Sequence, residues 1–214
     1  MNKLFEFDRE FKNNSSKIIV GVDEVGRGPG AGPVCACAYL FYENFENLIS
    51  QDEKFFLQKL NDSKKLSIRN REILSEILKK CGKYSIFTVD ENKIDEINIL
   101  NATFLAMKSA ITAIAEIELD KCYFLVDGNK KIKDFDVLQK TIVKGDSKSA
   151  SIAAASVMAK VFRDNLMIHL SKKYPQYSWD KNKGYLTKVH IEAIKKYGAS
   201  KHHRKTFIKN FVNN

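Results

Sequence analysis

Residues 18–34 read IIVGVDEVGRGPGAGPV, which is a β-branched apolar run, two adjacent carboxylates and a glycine-rich turn. Successive side chains of a strand point to opposite faces of its sheet, so Asp23 and Glu24 cannot both be ordinary core or both be ordinary surface residues. An acidic pair where an apolar strand ends indicates a metal-binding edge. The glycines beside the pair allow the backbone to approach a ligand closely.

The segments around this stretch alternate between strand and helix patterns. Strands are predicted at residues 17–22, 34–41, 84–89, 122–126 and 137–143, and helices at residues 67–80, 95–118, 149–172 and 187–197. We therefore predict an α/β fold with a mixed β-sheet flanked by helices. Residues 1–174 are expected to form the main domain, and residues 175–214 a C-terminal helical extension packed on it.

The composition is that of a globular protein without a membrane span. Of the 214 residues, 44% are hydrophobic and 29% are charged, and no run of about 18 apolar residues occurs. The N-terminal residues lack the apolar stretch of a secretory signal. The cysteines show no CxxC spacing, which favours small buried hydrophobes in a reducing cytoplasm. They are Cys35, Cys37, Cys81 and Cys122.

The charge balance favours a polyanionic partner. The formal net charge is +10, with 36 basic and 26 acidic residues. Many lysines fall on helix faces, where a solvated surface explains them. Others cluster in predicted turns, as at Lys64 and Lys65, and a basic excess in loops is typical of nucleic-acid binding.

Three acidic sites lie at the ends of predicted elements. Asp23 and Glu24 end the first strand, Asp127 ends the fourth, and Asp146 precedes a helix rich in small residues. Ligand sites of open α/β sheets lie at strand ends, so these carboxylates are candidates for one site that holds Mg²⁺ or Mn²⁺. Taken singly, Asp127 in a turn and Asp146 near a helix start also have structural explanations.

The glycine-rich turn does not match a known phosphate loop. Gly26, Arg27 and Gly28 are followed by a strand, whereas a P-loop and a dinucleotide fingerprint both lead into a helix. A plain hairpin loop is the alternative, but it leaves Arg27 unexplained. Tyr185 follows a basic loop and is a candidate for stacking on a sugar or base. For nearby aromatics we favour packing (Tyr174, Tyr177 and Trp179), and His202 and His203 are interpreted as a basic surface tail.

Five segments, in this order, resemble type 2 ribonuclease H (ribonuclease HII). They are GVDEVGRGPGAGPV (21–34), NDSKKLS (61–67), VDGN (126–129), KGDSKSASIAAASVMAKVFRD (144–164) and NKGYLTKVH (182–190). The resemblance implies a ribonuclease H-like fold. It also implies endonucleolytic hydrolysis of RNA paired to DNA, including single ribonucleotides embedded in duplex DNA, with two metal ions. The family pattern often has leucine at Gly30, and glycine or proline at Leu186.

The resemblance also assigns roles to residues. Asp23, Glu24, Asp127 and Asp146 match the metal-binding catalytic carboxylates. Other matches concern nucleic-acid binding: the turn that senses 2′-hydroxyls (Gly26, Arg27 and Gly28), the tyrosine that stacks on the next deoxyribose (Tyr185) and a phosphate-contacting loop (Ser63, Lys64 and Lys65). We expect a monomer that binds RNA–DNA hybrids and ribonucleotide-containing duplexes. The alternatives are a nuclease without junction specificity and a non-catalytic RNA-binding module, which would leave the carboxylates unexplained.

Overall fold

A five-stranded mixed sheet in the order β3-β2-β1-β4-β5 forms the centre of the fold. The structure, a computed structural model, describes residues 2–114 and 118–212. β1 pairs antiparallel with β2 and parallel with β4, which confirms the predicted mixed α/β sheet. The strands are β1 (Ile18–Val25), β2 (Val34–Phe41), β3 (Gly82–Val89), β4 (Cys122–Asp127) and β5 (Gln139–Ile142).

Helices cover the sheet and continue beyond it at the C-terminal end. They are α1 (Lys3–Ser15), α2 (Gln51–Leu57), α3 (Ile68–Cys81), α4 (Glu91–Ala113), α5 (Ala150–Lys173), α6 (Trp179–Asn182), α7 (Lys188–Tyr197) and α8 (Lys205–Ile208). Short 3₁₀ turns lie at Phe45–Leu48, Leu119–Lys121, Gly145–Ser147 and Pro175–Tyr177. Ser67 caps α3 through its side chain, as its position before the helical pattern predicts, and Thr187 caps α7 in the same way.

The two faces of the sheet are buried by different helices. α4 packs its buried side chains on the face that carries Val20 and Val22. α3 and α5 cover the other face. A Cβ at Gly21 would lie 2.0 Å from the backbone carbon of Ser151, so the start of α5 rests directly on β1. The small residues at the start of α5 permit this close approach, which sets the position of the helix beside the strand end.

Four helices, α1, α2, α6 and α8, were not predicted, and one was predicted with wrong bounds. The alternating residues near the N-terminus form α1, whose Asp8 accepts hydrogen bonds from the backbone N–H (2.7 Å) and hydroxyl (2.6 Å) of Ser151. α2 begins at a capping box of Ser50 and Glu53, a signal that the sequence does contain. α4 begins at Glu91, before the predicted residue 95. The helix continues across a kink at Asn98, whose φ is 66°. Its predicted end partly lies outside the described residues.

The residues after Pro175 pack on the end of α5. Tyr177 and Trp179 are buried in a cluster with Met167 and Ile194, which confirms that these two aromatics are packing residues. The four cysteines are buried and free, as expected. None of the helices within the described ranges has the length and apolar character that a membrane crossing requires.

Candidate active site

The parallel pairing of β1 and β4 brings Asp23, Glu24 and Asp127 to one edge of the sheet. Val22 lies opposite Val126 in this pair, so the next residues, Asp23 near the end of β1 and Asp127 at the end of β4, lie side by side. β1 continues to Val25, so the acidic pair lies within the strand and not after it as predicted. Carboxyl ends of adjacent parallel strands are the usual place for a ligand site in α/β folds. The predicted convergence of these carboxylates is therefore a direct result of the strand register.

Asp146 reaches the same edge through the 3₁₀ turn after β5. The N–H of Gly145 donates to Oδ1 of Asp127 at 2.6 Å, which ties the turn to the end of β4. A Cβ at Gly145 would lie 2.6 Å from Cδ1 of Ile152 and 3.2 Å from Asp127 Oδ1. A larger residue at this position would push Asp146 away from the other carboxylates.

Asp23 is the most deeply buried member of the set, with 5% of its surface exposed. Its Oδ1 accepts from the N–H of Glu24 at 2.7 Å, and the nearby Ser156 hydroxyl of α5 partly offsets the rise in its pKa. Ser156 in turn contacts the hydroxyl of Ser63 at 2.9 Å. The loop that carries Ser63 is thereby attached to α5 beneath the carboxylates.

Burial and mutual repulsion make the carboxylates hard to ionise. Burial raises the pKa of Asp23 well above its usual value, and the charges of Glu24 and Asp127 raise it further. Burial also raises the pKa of Glu24, although Arg27 opposes this with an ion pair of 3.3 Å. The pKa of Asp146 is raised to about 6, mainly by burial and then by Asp62 and Asp127. Such a set requires a cation to be fully ionised at neutral pH.

The candidate ligand atoms have the chemical type that a hard divalent cation prefers, because all of them are carboxylate oxygens. Within residues 2–114 and 118–212, however, no three His, Cys, Asp or Glu side chains are close enough to hold an ion as they stand. Glu24 and Asp127 are engaged with Arg27 and Gly145 instead. A cation bound among the carboxylates would offset their mutual repulsion.

Asp62 is a further acidic neighbour that the sequence analysis missed. Its side chain lies close enough to that of Asp146 to contribute to the raised pKa of Asp146. Asp62 Oδ1 also accepts from the N–H of Lys64 at 2.9 Å, which shapes the loop. Its position inside the segment NDSKKLS was the available signal, but no local pattern separates it from a turn residue.

The glycine-rich turn and Tyr185 lie against each other. A Cβ at Gly28 would meet Cε1 of Tyr185 at 3.5 Å, so the ring borders this glycine, and 45% of the tyrosine is exposed. Gly26 has a φ of +93°, which favours glycine. A Cβ at Gly30 would meet Cδ2 of Leu186 at 2.6 Å. The two departures from the family pattern are thus in contact, and the small residue makes room for the large one.

The basic loop contributes in two different ways. Lys64 and Lys65 are exposed, and the charge of Lys64 opposes the rise in the pKa of Asp146, so it lies near the carboxylates. Ser63 is buried, with 3% exposed, and its hydroxyl is engaged with Ser156. The lysines face solvent beside the site, whereas the serine side chain fixes the loop.

The interpretation of the histidines as a surface tail is wrong for His203, and His202 is only half-buried. His203 has 3% of its surface exposed, because its ring packs between Tyr177, Trp179 and His190. Two buried arginines were also missed. Arg163 and Arg204, both 0% exposed, donate to backbone carbonyls of the glycine-rich turn. No short-range pattern in the sequence marks them as buried.

Comparison with known proteins assigns this arrangement to a family. The family model for ribonuclease HII matches residues 20–211. The chain belongs to the ribonuclease HII family. It is 46% identical to the ribonuclease HII of Endomicrobium trichonymphae over 207 residues, which is 96% of this chain and 92% of the relative. It is 47% identical to that of Fusobacterium nucleatum subsp. nucleatum over 213 residues, 99% of this chain and 93% of the relative.

The fold comparison agrees with the ribonuclease HII assignment. The crystal structure of ribonuclease H2 from Pyrococcus horikoshii OT3 aligns with a TM-score of 0.69 and 26% identity, covering 92% of this chain and 99% of the other. The ribonuclease H-like sheet is therefore confirmed. As a member of the ribonuclease HII family, the chain is a metal-dependent ribonuclease that hydrolyses phosphodiester bonds of RNA paired with DNA. A non-catalytic RNA-binding module is thereby ruled out.

Proposed function

We propose that this enzyme cuts on the 5′ side of ribonucleotides, including single ribonucleotides embedded in duplex DNA, and leaves a 3′-hydroxyl and a 5′-phosphate. The proposal rests on one observation, which is that two groups of residues lie next to each other. Asp23 and Glu24 lie in the last part of β1 and Asp127 ends β4, and the turn that follows β1 lies against Tyr185. Groups suited to hydrolysis therefore adjoin groups suited to recognising a sugar and its neighbour.

The carboxylates are proposed to hold two Mg²⁺ or Mn²⁺ ions when the substrate is bound. Asp23 and Asp127 would bridge or hold both ions, Glu24 would complete one site, and Asp146 the other. Two such ions activate a water and stabilise the leaving oxygen of a phosphodiester. The raised pKa values of Asp23, Glu24 and Asp146 are those expected of a carboxylate cluster without its cation, and a bound cation would favour the ionised forms.

The turn and the exposed residues around it are proposed to select the position of cleavage. Gly26, Arg27 and Gly28 would contact the 2′-hydroxyl, the one group that distinguishes RNA from DNA at a given position. The ring of Tyr185 would stack on the deoxyribose that follows. Lys64 and Lys65 would contact phosphates without regard to sequence.

Substitution of Asp23 tests the metal assignment. Asp23→Asn removes a charge but little volume, so cleavage of a single-ribonucleotide duplex with Mg²⁺ should fall by about a thousandfold. Binding of the same duplex in chelator should change little. Asp136→Asn, which alters an exposed carboxylate, is the matched control and should cleave like the parent enzyme. Near-normal turnover by Asp23→Asn would refute the assignment.

A nuclease without junction specificity is the competing function. A panel of a single-ribonucleotide duplex, a long RNA–DNA hybrid and an all-DNA duplex, each with Mg²⁺ and with Mn²⁺, separates the two. Our proposal predicts cleavage of the first two substrates, with one cut directly 5′ of the single ribonucleotide. Equal cleavage of the long hybrid and failure on the single ribonucleotide would favour the competitor.

We also propose that the enzyme acts in the cytoplasm as a monomer, with residues 1–174 as the catalytic domain and residues 175–214 as an extension packed on it. The buried free cysteines are compatible with a reducing compartment. Light scattering at micromolar concentration would test the monomer, and a mass of twice 24.5 kDa would contradict it.

A further inference from the structure

Arg204 is a buried cation that is held by backbone carbonyls. Its Nη2 donates to the oxygen of Gly26 at 2.6 Å and of Gly32 at 2.7 Å, its Nη1 to that of Arg27 at 3.0 Å, and its Nε to that of Gly32 at 2.9 Å. None of its surface is exposed. In the described part of the chain no carboxylate forms an ion pair with it, so the turn itself compensates the buried charge.

The backbone around Arg204 fixes the guanidinium in this position. The N–H of Arg204 donates to the oxygen of Gly30 at 2.9 Å, and the N–H of Gly32 donates to that of His202 at 2.9 Å. Ala31 and His203 form an antiparallel bridge between these bonds. The extension thus pairs with the far side of the turn, and Arg204 extends from this pairing to the near side.

The hydrogen bonds of Arg204 determine which way two peptide groups of the turn point. In a trans peptide, the carbonyl of one residue and the N–H of the next point in opposite directions. Because the carbonyls of Gly26 and Arg27 point inward to Arg204, the N–H groups of Arg27 and Gly28 point away from it. Among the described residues, neither N–H donates to a protein acceptor. Both N–H groups therefore lie on the side of the turn that faces away from Arg204.

We infer that Arg204 is a positioning residue for ribonucleotide recognition: it holds the Gly26–Arg27 and Arg27–Gly28 peptides so that their N–H groups donate to the 2′-oxygen of the substrate. This inference rests on the proposed reading of the 2′-hydroxyl by the turn. It assigns that reading to backbone donors whose direction is set by a residue 178 positions away in the chain. Lysine cannot replace the arginine, because one ammonium cannot span the carbonyls that the planar fork reaches.

Arg204→Lys tests the inference, with Arg163→Lys as the matched control. Arg163 is equally buried, packs against Gly26 and also donates only to carbonyls, but to those of Ala31, Pro33 and Lys183. A lysine at this position keeps an aliphatic stem beside Gly26 and leaves the hydrogen bonds to the Gly26 and Arg27 carbonyls in place, so the control separates those hydrogen bonds from packing on the turn. Affinity is measured in chelator for a single-ribonucleotide duplex and for the all-DNA duplex of the same sequence. The ratio of the two affinities should fall by about tenfold in Arg204→Lys, as expected for weakening of two hydrogen bonds, and should stay near the parent value in Arg163→Lys.

The outcomes separate the inference from the function on which it rests. If the parent enzyme binds both duplexes equally, the proposed reading of the 2′-hydroxyl fails, and the inference fails with it. If the parent enzyme is selective and Arg204→Lys is equally selective, the inference alone fails. Loss of selectivity in both variants would also overturn it, because general damage to the turn would then be sufficient.

A measurement on the parent enzyme covers the case in which Arg204→Lys does not fold. The backbone amide resonances of Arg27 and Gly28 are followed by NMR while each duplex is added in chelator. Both resonances should shift with the ribonucleotide duplex and not with the all-DNA duplex. Identical shifts with the two duplexes, or no shift with either, would overturn the inference.

Discussion

Asp23 is a carboxylate held where ionisation is costly, at the centre of a group of acidic neighbours. The pKa of Asp23 is higher in the folded protein than in the unfolded chain. Its favourable contribution to the free energy of unfolding is therefore fully present only when the pH lies below the unfolded pKa. The stabilisation is lost as the pH rises through the folded pKa. The metal-free enzyme at neutral pH therefore contains charges that repel one another. A divalent cation is expected to remove this destabilisation.

The effect of metal on stability should consequently depend on pH. Saturating Mn²⁺ should raise the unfolding midpoint clearly at pH 8, where about 2.7 kcal/mol is expected at a hundred times Kd. At pH 5 protons compete for Asp146, whose pKa is about 6, so the rise should be much smaller. Differential scanning calorimetry with Mn²⁺ and with chelator measures both values. A rise of the same size in Asp23→Asn at pH 8 would contradict the prediction.

Tyr185 should contribute through its ring and not through its hydroxyl. Tyr185→Ala should lower the ratio of kcat/KM for a single-ribonucleotide duplex over a long hybrid by about tenfold, the size of one aromatic stacking contact. Tyr185→Phe keeps the ring beside Gly28 and should retain the parent ratio. The same ratio should also fall in Arg27→Ala, which removes the guanidinium but not the backbone. Parent-like ratios in the alanine variants would show that neither side chain selects the junction.

At the scale of elements, the segment after Pro175 contains a buried polar network. The indole N–H of Trp179 donates to Nε2 of His190 at 3.0 Å, and the N–H of Ser200 donates to Nδ1 of His203 at 2.9 Å. His203 Nε2 lies 3.1 Å from the same His190 Nε2. The remaining N–H of His190 donates to the oxygen of Tyr185 at 2.9 Å. Both histidines are neutral in this network, and it holds the segment that carries Tyr185.

Protonation of these histidines should destabilise the fold in acid. Burial lowers the pKa of His203 to about 4, with a further contribution from His190. Because the unfolded chain takes up this proton first, the stabilisation is complete above about pH 6.5 and is lost as the pH falls towards 4. His203→Asn should reduce the loss of stability between these pH values by about 1–2 kcal/mol.

Denaturant unfolding at pH 7, 6, 5 and 4 measures this pH dependence. His169→Gln is the matched control, since this histidine is exposed on α5, and its curve should run parallel to that of the parent enzyme. A His203→Asn curve that is parallel to the parent curve would refute the role of His203.

At the scale of the whole molecule, the net charge of +10 should raise the affinity for nucleic-acid duplexes equally, whether their sugars are ribose or deoxyribose. Affinity for duplexes should fall linearly on a log–log plot against salt, and Lys64→Gln combined with Lys65→Gln should reduce the slope by about two. Lys121→Gln, at the opposite end of β4 from Asp127, should not change it. Fluorescence anisotropy at several salt concentrations measures the slopes. A reduction confined to ribonucleotide substrates would contradict a purely electrostatic role.

The sequence by itself determined the elements and the candidate carboxylates. Apolar periodicity and caps are local patterns, so β2 was predicted with its exact bounds and Ser67 as the start of α3. Asp23 and Glu24 were recognisable as candidate site residues, because a purely structural role rarely explains two adjacent carboxylates at the end of an apolar run. The capping box of Ser50 and Glu53 is also a local pattern, so the start of α2 can be read from the sequence.

Only the tertiary structure decided which distant polar groups meet. The contact of Asp62 with Asp146, the burial of His203 and the hold of Arg204 on Gly26 join residues that are far apart in the chain. Whether a charged or polar side chain is buried depends on the partners that compensate it, and those partners are brought together by strand register and helix packing. For this reason the residues of the glycine-rich turn were visible in the sequence, but the direction of its peptide groups was not.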